Sequence, residues 1–306
     1  MKYQITYLIV AAGLIFFSCE TKINPTLQSA DPILVVDAWI TNKAEAQTIL
    51  LSKTQSYFDN TLPPAASGAS VTITDTNNTV YTFNESKPGI YSWKPVGNQV
   101  FGKVGDSYKL TVLLDGEQYE ASSHMGPVPP IDSITFKKNQ STQLNPDFYR
   151  GQFYAKDVIG KGDTYWIRTY KNGILLNKPG DINIAYDAGF AAGGNFFSTA
   201  DKLIDFIAPI RGRINPNDKD ANDKAVSPYV PGDSAYVEIN SITVTAFDYL
   251  SQVSVQTNRP GGFSELFARP IANVSTNIVS VNSTGKKVVG FFNVAAVSGK
   301  GQKFKK

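Results

Sequence analysis

The 306-residue chain contains one cysteine, Cys19, and one histidine, His124. A lone thiol cannot form an internal disulfide, so any folded part is held together by its core alone. A lone imidazole removes multi-histidine zinc sites and histidine relays with a second ring behind them. His124, beside Met125 and just ahead of a proline-rich stretch, reads as a structural or packing residue. Charge of either sign is also scarce in excess, with Lys and Arg at 29 against Asp and Glu at 26. The only basic cluster is the tail of Lys300, Lys303, Lys305 and Lys306, so nucleic acid is not an expected partner. No Gly-x-Ser-x-Gly elbow, phosphate-cradling loop or dinucleotide fingerprint occurs, and the expectation is a protein without enzymatic activity.

Long apolar runs are missing as well. The longest, Tyr7 to Phe17, follows a single positive charge at Lys2 and stops at Ser18 and Cys19. That is short of the roughly 20 apolar residues a membrane-spanning helix needs. A basic end, a short apolar middle and a small residue before the cut are the layout of a secretory signal over residues 1–18. Its removal leaves 288 residues, enough for about two domains. The ending "LIFFSCE" resembles the lipobox of bacterial lipoproteins, with Phe16 where leucine is usual. The resemblance implies that Cys19 carries lipid, becomes the new amino terminus and ties the chain to a membrane.

What the sequence has in quantity is strand pattern. Residues 19–31 are polar with Pro25 and read as a tether. From Ile33 onward "ILVVDAWI", "TILLS", "SVTITD", "TVYTFN", "GIYSW", "SYKLTVLL" and "EQYEASS" are rich in β-branched and aromatic residues, and several alternate with period two. Asp115-Gly116 and Asn77-Asn78 supply tight turns. Short strands at this spacing predict a mainly β fold, opening with an immunoglobulin- or transthyretin-like antiparallel sandwich over 32–128. Trp39 and Trp93 are expected to pack that sheet. "GPVPPIDSI" marks the boundary to a second β-rich domain over 129–306. That part has strands at "DSITFKK", "FYRGQFYAKD", "TYWIRTYKNG", "AYVEINSI" and "KKVVGFFNVAAV". In "TAFDYLSQVSVQT", Phe247, Leu250 and Val253 share one face, compatible with a helix, although a strand continuing from "ITVT" competes.

Regularity lapses from Lys178 to Asp233, and long irregular segments in compact domains are often functional surface loops. Tyr186, Phe190, Phe196 and Phe197 lie there among glycines and are the candidate partner or ligand residues, against the alternative that they cover the second core. Asp218, Asp220 and Asn222 fit the first oxygen positions of a calcium loop. Asp223 replaces the turning glycine and Tyr229 the bidentate glutamate, so a solvated polar loop is the competing reading.

In their order and spacing, "ILVVDAWITN", "QSYFDNTLPPAASGASVTITD", "GKVGDSYKLTVLLDGEQYEASSHMGPVPPIDSI", "VSPYVPGDSAYVEINSIT", "GGFSELFARPIANVSTNI" and "GKKVVGFFNVAAV" resemble the Bacteroidota lipoprotein family catalogued as domain of unknown function 4249. The resemblance implies an exported lipoprotein of the outer membrane, on either its periplasmic or its surface face. Such proteins are often associated with TonB-dependent receptors; the family supplies no catalytic residues. Ser133 and Ser234, in "DSI" and "DSA", fit the short acceptor pattern for O-glycosylation in that phylum. The two functional expectations are an accessory or capture partner of a TonB-dependent receptor and a structural or adhesive envelope module.

Overall fold

The computed structural model describes residues 31–56, 59–97, 99–139, 148–158, 162–186, 205–210, 219, 221–223, 227–259, 261–262, 268, 270–282 and 285–305. The signal segment and nearly all of the tether lie outside these residues, and Pro32–Gln55 with Asp59–Lys306 make up one compact unit. The chain is mainly β, as the strand pattern predicts, with one long helix among the described residues.

The first half supplies β1 (Leu34–Thr41), β2 (Gln47–Lys53), β3 (Ser70–Asp75), β4 (Val80–Lys87), β5 (Ile90–Trp93), β6 (Ser107–Leu114) and β7 (Glu117–His124). Alternation decides which face is buried: Leu34, Val36, Ala38 and Ile40 of β1 and Tyr108, Leu110 and Val112 of β6 point into one core, with polar residues between them. The Asp115-Gly116 turn joins β6 to β7 with both residues at positive φ, 52° and 79°, the pairing that a two-residue hairpin requires. Asn78 is also left-handed at φ 64°, and Asp75 Oδ1 accepts from the Asn77 and Thr79 amides around that turn.

The second half continues with β8 (Ile131–Asn139), β9 (Phe148–Lys156), β10 (Thr164–Lys171), β11 (Ile174–Leu175), β12 (Asn183–Tyr186), β13 (Asp205–Ile210) and β14 (Ser234–Ile242). Helix α1 (Val244–Thr257) follows, then β15 (Val279–Ser280), β16 (Val288–Ala295) and β17 (Val297–Lys303). Strands β15 and β16 join the first sheet, which runs in the order β15-β7-β6-β3-β4-β5-β2-β1-β16. Although the sequence divides the chain at 128/129, the first core therefore contains Ile278, Val288, Phe292 and Val294.

Every pair in this sheet is antiparallel except β1 with β16, which run parallel from Leu34 opposite Val288 to Thr41 opposite Ala295. Its two ends meet through side chains. The Val294 amide donates to Ser123 Oγ (2.9 Å), and Asn277 bonds both main-chain groups of Phe292. The sheet thus curls back on itself, barrel-like.

A five-stranded sheet, β11-β10-β14-β17 with β12 also on β10, faces a three-stranded sheet, β13-β9-β8. Tyr165, Ile167, Phe153, Tyr229, Val237, Ile239 and Phe304 fill the space between them. Ala296 alone separates β16 from β17, so the chain steps from the curled sheet into the sandwich in one residue. The Ser241 amide donates to the Ala296 carbonyl there (2.9 Å). Helix α1 starts at Thr243, whose Oγ1 accepts from the Ala246 amide (3.2 Å) as an N-cap. It packs Ala246 and Leu250 against Phe291, Trp39 and Trp166, so the helical alternative for "TAFDYLSQVSVQT" is the one realised. Among the described residues, no helix is long and apolar enough to cross a membrane.

Candidate ligand-binding face

Strand β10 carries Tyr165, Ile167 and Thr169 toward the second core, which leaves Trp166, Arg168 and Tyr170 on the opposite face. Across the ladder, Trp166 stands opposite Asn240, Arg168 opposite Glu238 and Tyr170 opposite Tyr236. The Arg168 guanidinium lies 5.2 Å from the Trp166 ring centre and 6.0 Å from that of Tyr170, attracted by the negative faces of both rings. Tyr170 and Tyr236 meet edge to face at 5.6 Å. Tyr236 is 39% exposed and lies across Gly299 and Gly301 of β17, where a Cβ at Gly299 would collide with the tyrosine hydroxyl.

Beneath this stripe sits Glu238, only 1% exposed. It accepts from Lys43 Nζ at 2.8 Å and Tyr170 Oη at 3.1 Å, with Arg168 Nη1 farther off at 3.9 Å. A buried carboxylate is tolerable only with such partners. Burial works against the Lys43 charge, yet its bonds to Glu238 and Glu45 outweigh that and hold the ammonium above the usual lysine range. Burial pushes the Tyr170 phenol upward; Arg168 opposes the shift and the bond to Glu238 adds to it, so Tyr170 remains a donor.

On the side of β10 away from β14 the chain leaves β11, turns through a short 3-10 segment at Pro179–Asp181 and returns as β12, both strands pairing with β10. The Leu176 amide donates to the Thr169 carbonyl (2.9 Å) and Asp181 Oδ2 accepts from the Lys178 amide (2.9 Å). This detour opens a depression of about 150 Å³ beside Trp166 and Arg168, walled by Leu176, Ile182, Lys178 and Asp181. From behind, Trp39 meets Trp166 edge to face at 5.0 Å and stacks on Phe291 at 5.7 Å. Trp93 packs against Tyr81 and Phe101; both tryptophans expected to pack do so.

Of the candidate loop residues, Tyr186 ends β12, is 43% exposed and meets Phe247 of α1 edge to face at 5.8 Å. Phe190, Phe196 and Phe197 lie outside the described residues, as do Cys19, Asp218 and Asp220. Asn222 sits in the turn at 221–223, where Lys219 Nζ is 2.8 Å from Asp223 Oδ1. Tyr229, aligned with the last calcium-loop position, is fully buried in the second core. Among the described residues, no three His, Cys, Asp or Glu side chains converge as a metal set.

Ser133 is half-buried in β8 opposite Tyr154. Ser234 opens β14 with its amide donating to Asn172 Oδ1 (2.8 Å). His124 is exposed at the end of β7, its Nδ1 3.4 Å from Ser107 Oγ. The stripe itself was missed from sequence, although "TYWIRTYK" carried a signal: Trp, Arg and Tyr at alternate positions cannot all be core residues of a two-sided strand.

The fold and this face define a mainly β protein in which a curled sheet passes directly into a sandwich whose outer surface carries an aromatic and cationic stripe. The chain belongs to the family described as Domain of unknown function (DUF4249), which matches residues 20–300. Among curated proteins none matches it.

Proposed function

We propose that the protein is a non-enzymatic lipoprotein, held at the outer membrane by lipid on Cys19, that captures a ligand for, or docks on, a TonB-dependent receptor. The observation that carries the capture role is the Trp166, Arg168, Tyr170 and Tyr236 stripe. Aromatic faces beside a charged fork at the edge of a depression are the usual makings of a small-ligand site. A module that only spaces or adheres has no need of them. Apolar tethering by a single acyl chain is reversible, whereas several chains on one amino-terminal cysteine give stable anchorage.

The test is affinity capture of the full chain, with Cys19 retained, from outer membranes solubilised in mild detergent, followed by mass spectrometry of bait and partners. The expected result is a bait carrying acyl chains on Cys19 and a stoichiometric large barrel protein. An unlipidated bait overturns the anchor, and a lipidated bait that is repeatedly solitary overturns the receptor partnership in favour of the structural module.

A further inference from the structure

Resting on the capture reading above, we propose that the depression beside β10 binds a sugar ring bearing a carboxylate, the uronate class of acidic saccharide. Four features of the face converge on that chemistry. The walls supplied by Trp166, Leu176 and Ile182 are apolar and suit the C–H face of a ring. At about 150 Å³ the space holds one ring-sized unit and is too small for a long acyl chain.

The charges at the rim are paired, and Arg168 differs from the others in its distance from its partner. Glu238 is bonded by Lys43 at 2.8 Å and Tyr170 at 3.1 Å, and stands 3.9 Å from Arg168. Lys43 bridges Glu238 and Glu45 at 2.8 and 3.0 Å, whereas Arg168, between its two rings, stands 3.9 Å from Glu238, beyond hydrogen-bond reach, so the donors of its guanidinium can turn to a second carboxylate. A planar guanidinium in that position matches a carboxylate with two parallel donors. Lys178 and Asp181, of opposite charge, both line the wall. A bare phosphate would meet mostly apolar wall, and a neutral apolar occupant would cover Arg168 without giving its N–H donors an acceptor. Beyond the depression, Tyr170 and Tyr236 continue the stripe along the sheet, so a chain of such sugars has a second aromatic surface to lie on.

The experiment is calorimetric titration of the soluble mature chain, with Cys19 replaced, using tri-galacturonate, an alginate trimer and a hyaluronan tetramer. The methyl-esterified form of tri-galacturonate serves as the neutral match. At least one acid is expected to bind, ten-fold or more tighter than a neutral match. Arg168→Gln is expected to weaken it ten-fold or more while Lys171→Gln leaves it unchanged, each variant being checked for an unaltered melting curve. If Arg168→Gln fails to fold, Lys178→Glu carries the same expectation. No binding of any of the three acids, equal binding of acid and ester, or full affinity in the folded Arg168 and Lys178 variants overturns the proposal. These outcomes are independent of the receptor: a barrel that co-purifies with a chain unable to bind acidic sugars sinks this inference alone.

Discussion

Asn277 holds Phe292 by both of its main-chain groups: the Phe292 amide donates to Asn277 Oδ1 at 3.0 Å, and Asn277 Nδ2 donates to the Phe292 carbonyl at 2.7 Å. One side chain thus does for the free edge of β16 what a neighbouring strand would do. It also reaches the Ser122 carbonyl on β7 at 3.5 Å. Asn277→Ala should leave both groups of Phe292 unpaired and cost about 2–4 kcal/mol, given about 1–3 kcal/mol for each unsatisfied buried group. Urea denaturation measures it; a midpoint equal to that of the parent would show that the seam closes without Asn277.

The Lys43–Glu238 pair links the curled sheet to the sandwich across 195 positions of sequence. Lys43→Met strands a buried carboxylate and should cost about 3 kcal/mol, whereas Lys43→Met with Glu238→Leu should recover much of the loss. A double-mutant cycle in denaturant distinguishes this from simple addition of two penalties.

Gly290 has φ 105°, and a Cβ there would fall on the Val36 carbonyl oxygen of β1. Gly290→Ala is expected to destabilise the fold by about 3 kcal/mol or more, combining backbone strain with a clash in the parallel pair. A thermal melt within a degree of the parent would contradict that.

Acid sensitivity has a specific source. Burial opposes the Asp233 charge, but bonds from Asn172, the Val230 amide and Lys171 outweigh it and hold the carboxyl below its ordinary value. Its contribution is present above the unfolded value of 3.8 and is lost as pH falls through the lower folded value. Asp233→Asn should flatten the stability profile below pH 4, and an unchanged acid limb counts against the assignment.

At the alkaline end, burial pushes the Tyr108 phenol up to about 12, and its Oη donates to the Lys103 carbonyl at 3.0 Å. The unfolded chain releases that proton near 10, so this stabilisation is present below pH 10 and lost as pH rises toward 12. Tyr108→Phe should show a shallower alkaline decline, read from denaturation midpoints across that window.

Several parts of the fold were readable from residues close together in the chain. The Asn172-Gly173 turn adopts φ 51° and 79° for the same steric reason as Asp115-Gly116, and the alternation in "SYKLTVLL" assigns the buried face of β6 directly. The face around Arg168 was less legible, because its partner Glu238 lies about seventy positions away. The loop aromatics drew attention by their local density, whereas Trp166, Arg168 and Tyr170 are spread along a strand that otherwise reads as core.

By itself, the sequence determined the longer strands outside 178–233, their hairpins, the buried side where they alternate and the lipobox-like ending at Cys19, since backbone sterics and period-two burial act over a few residues; β12, β13, β15 and β17 were not legible in it. Tertiary structure decided that β16 lies parallel to β1, that Asn277 closes the seam on Phe292 and that Lys43 meets Glu238. Those pairings depend on which unpaired edges and buried charges face each other once the cores have assembled. No local preference encodes that choice, because the groups concerned come together only after long stretches of intervening chain have found their own places.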